Sequence, residues 1–177
     1  REWAEVRVDT PDAQVVNLKT ILAIKNYEEG PENHIMNCRL VAQGCRVQDV
    51  FGGKAHEEEF WNNTVGLATL RIALVTAALQ PTGAAEVADA EAFYLQTPLQ
   101  GAPKYGRLPK RLWPDSWKHM TDPVVRILHA LYGFERSMHD AGDYLHKRLL
   151  EQAWEPLLDF ESWGCVYWRK GVVLVVY

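Results

Sequence analysis

Hydrophobic and polar positions change rhythm several times along the chain, and the changes predict its elements. Over 15–42, "VVNLKTILAIKNY" and "HIMNCRLVAQG" are rich in β-formers and flank the turn-forming "EEGPEN", which predicts a hairpin. In its second strand Met36, Cys38, Leu40 and Ala42 alternate onto one face, taken as the core side. Asn37, Arg39 and Val41 take the other face, so Arg39 is expected to point away from the core. Residues 45–61 are polar and irregular, with Gly52-Gly53 and the run Glu57-Glu58-Glu59. Asn62, Asn63 and Thr64 then offer caps for a largely apolar, buried helix ending near Leu79.

The second half alternates faster. "AAEVADAEAFYLQ" predicts a short strand or strand-to-helix junction, with a strand reaching Asp89 as a sheet neighbour of the last strand. "TPLQGAPKYGRLPKRLWPDSW" predicts loop with short extended pieces, and "PVVRILHALYGF" an apolar strand or helix stub. "DAGDYLHKRLLEQAW" predicts a helix capped by Asp140 or Asp143. "CVYW", the turn "RKG" and "VVLVVY" predict a closing hairpin, Cys165–Trp168 against Val172–Tyr177. Strands and helices intermix without a βαβ rhythm, so the expected class is α+β, an antiparallel sheet with packed helices.

Charge adds a partition. Residues 1–100 carry 8 Lys/Arg against 14 Asp/Glu, whereas 101–150 carry 9 against 5 and four of the six histidines. The net −4 disfavours a general nucleic-acid binder, but the basic middle leaves room for a phosphate-facing patch. Cys38, Cys45 and Cys165 are three in number with no Cys-x-x-Cys pair. They are expected as buried or half-buried thiols in a reducing, intracellular setting, cytoplasmic or nuclear. No stretch reaches the length of a membrane span, and no leader pattern opens the chain, so no membrane partner is expected.

From the residues alone, the chemistry is thin. Asp89 reads best as the N-cap of a short helix, with Glu91 in its first turn. The histidines lack metal-ligand spacing, and no Gly-rich phosphate loop or Ser/His/Asp set is present.

The order of the pieces says more. "CRLVAQG", a helix containing "LRIAL", Asp89 followed by "YLQ", then "ALYGF", then a hairpin ending "LVVY" resembles the reverse transcriptase domain of copia-type retrotransposons. The resemblance spans about residues 15 to 177, in five motifs at compatible spacing. It implies one partial domain: a fingers-like hairpin and helix over about 15–80, and a palm-like part over about 81–177. It implies RNA-directed DNA polymerisation, with an RNA or DNA template, a primer, deoxynucleoside triphosphates and two Mg²⁺ ions as partners.

By the same resemblance, Asp89 matches the first metal-binding carboxylate, and the Asp-Asp pair would follow Tyr177, so this stretch alone is expected to be inactive. Arg39 matches the arginine that contacts the triphosphate, a role suited to a guanidinium, and Lys25 adds charge from the opposite strand. Tyr94 matches the aromatic residue beneath the nucleotide sugar that bars a 2′-hydroxyl. Tyr132 and Gly133 of "ALYGF" fall near template and nucleotide, the glycine allowing close backbone approach. Asn37 stands where the family has Lys, and "ERSMHD" replaces its Gln-Ala-Pro-Arg-Ala-Trp. Two other readings follow from the same residues: a non-catalytic nucleic-acid-binding remnant held by 101–150, or an unrelated α+β interaction domain.

Overall fold

The computed structural model describes residues 1–55, 65–157 and 165–176. They form two compact units, one of 1–59 and 94–140, the other of 60–93 and 141–177. The hairpin expected in the fingers half and the 94–140 segment expected in the palm half thus belong to the same unit.

Strand β1 (Gln14–Lys25) organises the first unit because it serves two partners in succession. Its first four residues pair in parallel with β3 (Lys104–Arg107). Residues 18–25 pair antiparallel with β2 (Ile35–Ala42). Adding β4 (Val125–Ile127), antiparallel to β3, gives the order β2-β1-β3-β4. The sheet is therefore mixed, with one parallel pair where only antiparallel pairing was expected. The alternation of β1 builds a core on each face. Val15 joins Trp3, Val6, Ala13, Tyr105 and Val124 beneath helix α1 (Trp3–Asp9). Val16 and Leu18 join Ala42, Val47, Ala55 and Phe134 on the opposite side.

Beyond Leu18 the hairpin leaves the core. Ala42 is buried and Leu40 packs against the core, but Met36 is 68% exposed, and Cys38 and Leu22 are exposed as well. The alternation assigned the faces correctly, yet only the hairpin's root is covered. Its tip turns at Asn26, which has a positive φ of 58°, and Tyr27 stacks on His34 with centroids 5.5 Å apart. Cys45 is exposed too and Cys165 half-buried, so two of the three thiols face solvent rather than the interior.

In the second unit, helix α2 (Leu67–Leu79) starts after Gly66; Asn62, Asn63, Thr64 and the run Glu57–Glu59 lie outside the described residues. It was expected to be buried. Instead Leu67, Ile72, Leu74, Val75 and Leu79 are exposed and only Thr69 is buried. The helix is apolar almost all round, so burial needs cover on every side, and its main neighbour within the unit is the single strand β7 (Val172–Val175).

Strands β5 (Glu155–Pro156), β6 (Val166–Arg169) and β7 form an antiparallel sheet. The closing hairpin pairs Val166 with Val175 and Arg169 with Val172 as expected, while Tyr177 lies outside the described residues. Lys170 and Gly171 both have positive φ, 49° and 83°, the two-residue turn whose twist matches that of the flanking strands. Arg169 Nη1 donates to Gln152 O at 2.9 Å, and its guanidinium lies 4.8 Å from the Trp154 ring centre.

Helix α4 runs from Glu135 to Glu151, beginning before both residues expected to cap it. Asp140 lies within the helix and is 3% exposed. Its carboxylate is held there by Gln100 N at 2.9 Å and Arg136 Nε at 3.0 Å.

Candidate functional site

Three segments far apart in sequence meet in the first unit. The "ALYGF" loop, Ala130 to Phe134, lies along the open edge of β2. Ala130 N donates to Thr97 O at 2.8 Å, and Ala42 N donates to Tyr132 O at 2.8 Å. The Ser137 hydroxyl donates to Leu131 O at 2.8 Å and accepts from Leu131 N at 3.0 Å. Phe134, 4% exposed, anchors the loop in the core. Between them Gly133 has φ +97°, and a Cβ there would come under 3.0 Å from Ala42 O. A Cβ on Gly44 would in turn come under 3.0 Å from Gly133 O. Two glycines, one from each motif, therefore let the backbones of "RLVAQG" and "ALYGF" touch.

This backbone junction presents a side-chain cluster. Tyr132 projects beside the exposed Arg39, whose guanidinium lies 5.9 Å from the ring centre, within cation–π range. Tyr94 meets Tyr132 nearly at right angles, with centroids 4.6 Å apart. Tyr94 lies in the short helix α3 (Phe93–Gln96), tied back by the Thr97 N to Tyr94 O bond at 3.0 Å. Burial, and secondarily the neighbouring Tyr132, push the Tyr94 phenol above its ordinary pKa, so it stays protonated through the neutral range.

Lys25 is exposed and shares Arg39's face, since Ile21 pairs with Arg39 and Lys25 follows Ile21 at an even spacing. It sits about 13 Å farther toward the tip at about 3.4 Å per residue, beyond the cluster around Tyr132. Lys19 is the residue the sequence reading passed over. It pairs with Val41, next to the Ile21–Arg39 pair on the same face, and is exposed. Strand parity would have found it. The face formed by Asn17, Lys19, Ile21, Ala23 and Lys25 against Ile35, Asn37, Arg39 and Val41 holds three cations and no acid.

Asp89 is placed otherwise than expected. It belongs to the second unit, is exposed, and lies on a segment, 83–90, that has neither helix nor strand. No strand ends at Asp89, and neither described sheet includes it. Nor is it a helix cap, because α3 begins only at Phe93. Among the described residues no group of three or more His, Cys, Asp or Glu could hold a metal ion.

Much of the basic middle is paired within the chain, in part at the surface. Arg107 forms a two-pronged pair with Asp122 at 2.7 and 2.8 Å, and Arg136 pairs with Asp140. Arg148 pairs with Glu151, and Lys118 with Asp115. Lys104 is buried, donating to Gln14 Oε1 with its ammonium 5.5 Å from the Phe134 ring centre. Arg111 donates to the Thr20 hydroxyl. Among the described residues, no helix is long and apolar enough to cross a membrane.

No family model, curated protein or solved structure matches the chain.

Proposed function

We propose that this chain is the fingers and part of the palm of a copia-type RNA-directed DNA polymerase, and that it supplies the nucleotide-facing side of the site. One observation carries the proposal. Arg39, Tyr94 and the Tyr132-Gly133 pair were each singled out from separate motifs, and they converge on one backbone junction. A guanidinium beside one ring of an aromatic pair, on a hairpin face without carboxylates, suits a nucleoside triphosphate. Arg39, with Lys19 next to it on the same face, offers donors to the phosphates, and Tyr94 offers a plate for the sugar. The described residues assemble no carboxylate cage, so the nucleotidyl-transfer step is not assigned to them, and the 177-residue chain is expected to extend no primer.

The test is a titration of the chain with dCTP followed by nuclear magnetic resonance, with primer extension on an RNA template run in parallel. Shifts centred on Arg39, Tyr94 and Tyr132, weakened by Arg39→Ala, are expected together with no extension. Extension by the chain itself, or an absence of dCTP binding, overturns the proposal. Salt-dependent binding to an RNA–DNA duplex without any dCTP binding identifies the nucleic-acid remnant instead.

A further inference from the structure

We infer that Tyr132 is a positioning residue that couples the phosphate-binding Arg39 to the sugar-facing Tyr94; the inference rests on the nucleotide-binding reading above. Arg39 stands on a hairpin strand whose outer half has left the core, and no carboxylate among the described residues pairs with it. What holds its guanidinium is the face of the Tyr132 ring. Tyr94 comes from a four-residue helix and meets the same ring.

Tyr132 itself is fixed by its backbone. Its carbonyl is bonded to Ala42 N, and Leu131 before it is clamped by Ser137 on both its N–H and its C=O. Gly133 after it lies against the main chain of Ala42 and Gly44. A ring anchored so firmly, touching one side chain that meets phosphates and another that meets the sugar, ties two separate recognition events to one plate. Both contacts are made to the ring, so Phe should serve where Ala or Leu does not.

The measurement compares dCTP with CTP, which differ only at the 2′-position, by equilibrium titration of the full chain and of Tyr132→Ala, Tyr132→Leu and Tyr132→Phe. Tyr132 is 39% exposed, so its truncation should leave the fold intact, as an amide spectrum will show. Tyr132→Leu keeps apolar bulk and preserves the test should the alanine variant unfold.

Loss of a surface cation–π contact predicts dCTP affinity about two- to fivefold weaker in the Ala and Leu variants. The dCTP-to-CTP preference should fall with it, and Phe should restore both. Unchanged affinity and preference in Ala and Leu overturn the coupling while leaving nucleotide binding intact. Weaker affinity with an unchanged preference overturns it as well, because Tyr132 would then serve Arg39 alone. Failure of the unmodified chain to bind dCTP removes both the nucleotide-binding reading and this inference.

Discussion

Replacing Gly133 with alanine tests whether the two motifs meet through their main chains. At φ +97° an L-residue costs about 1–3 kcal/mol of backbone strain. The added methyl would also meet Ala42 O at under 3.0 Å, and the opposing atom is backbone, so it cannot swing aside as a side chain would. Relief requires the loops to part, which sacrifices the Ala42 N to Tyr132 O bond at 2.8 Å, worth about 1 kcal/mol. Together these costs amount to about 2–4 kcal/mol. In a chain of this size each kcal/mol lowers the unfolding midpoint by roughly 2–4 °C, so a drop of about 4–16 °C is expected by calorimetry. Gly44→Ala carries no positive-φ cost and should be milder, but its methyl would push on Gly133 O from the other side. The two substitutions should therefore be non-additive, because once the junction has opened the second methyl meets less resistance. A Gly133→Ala midpoint within about 2 °C of the parent, or strict additivity with Gly44→Ala, would refute the backbone junction.

Gly171→Ala provides a contrast: φ is +83° but nothing lies within 4 Å of the added methyl, so only strain of about 1–2 kcal/mol is expected, read from the same thermal scans. Tyr94 and Tyr167 both have phenols raised chiefly by burial, so spectrophotometric titration should show a late-ionising tyrosine component, part of which is lost in Tyr94→Phe. Because the folded pKa values are raised, the stability tied to these phenols is complete below the ordinary tyrosine range and is lost as pH climbs through the raised values. Asp140→Ala should strip Gln100 N and Arg136 of their shared acceptor inside a buried site and cost about 3 kcal/mol or more by denaturant unfolding. Asp89→Asn should leave thermal stability unchanged within about 0.5 kcal/mol, since Asp89 is exposed and caps no helix.

The hairpin over 15–42 is legible in the sequence because strand alternation and turn chemistry are local signals, and both ends of "EEGPEN" agree with them. The closing hairpin is legible for the same reason, with Lys170-Gly171 supplying the two positive φ values. What local signals miss is competition for partners. Nothing near Gln14 announces that β1 will pair in parallel with a strand 90 residues later. The apolar character of α2 is plain, but periodicity cannot say what covers a helix that is apolar all round. Asp140 looked like a cap because acids at helix starts usually are; here its partners, Gln100 N and Arg136, pull it into the interior and the helix starts five residues earlier. Arg39, Tyr94, Tyr132 and Gly133 are nominated by motif order, and only the folded chain shows them together. Lys25 shares their face but not their neighbourhood, and Asp89 stands on an irregular segment that no pattern of spacing foretold.

The divided loyalty of β1 sets up a gradient in time as well as in space. Its first residues are gripped from two directions, Val15 by Tyr105 on one side and Gln48 on the other, with a core on each face. Among the described residues its last residues pair with β2 alone, and both of their faces are exposed. Amides near Val15 and Val16 should therefore exchange with deuterium only when the unit opens as a whole, while those near Ile24 exchange through small local openings. The strand is built like a cantilever, clamped at its root and supported by a single neighbour among the described residues at its tip. Arg39, opposite Ile21, sits midway along it, where a small rotation of the root becomes a larger displacement of the guanidinium.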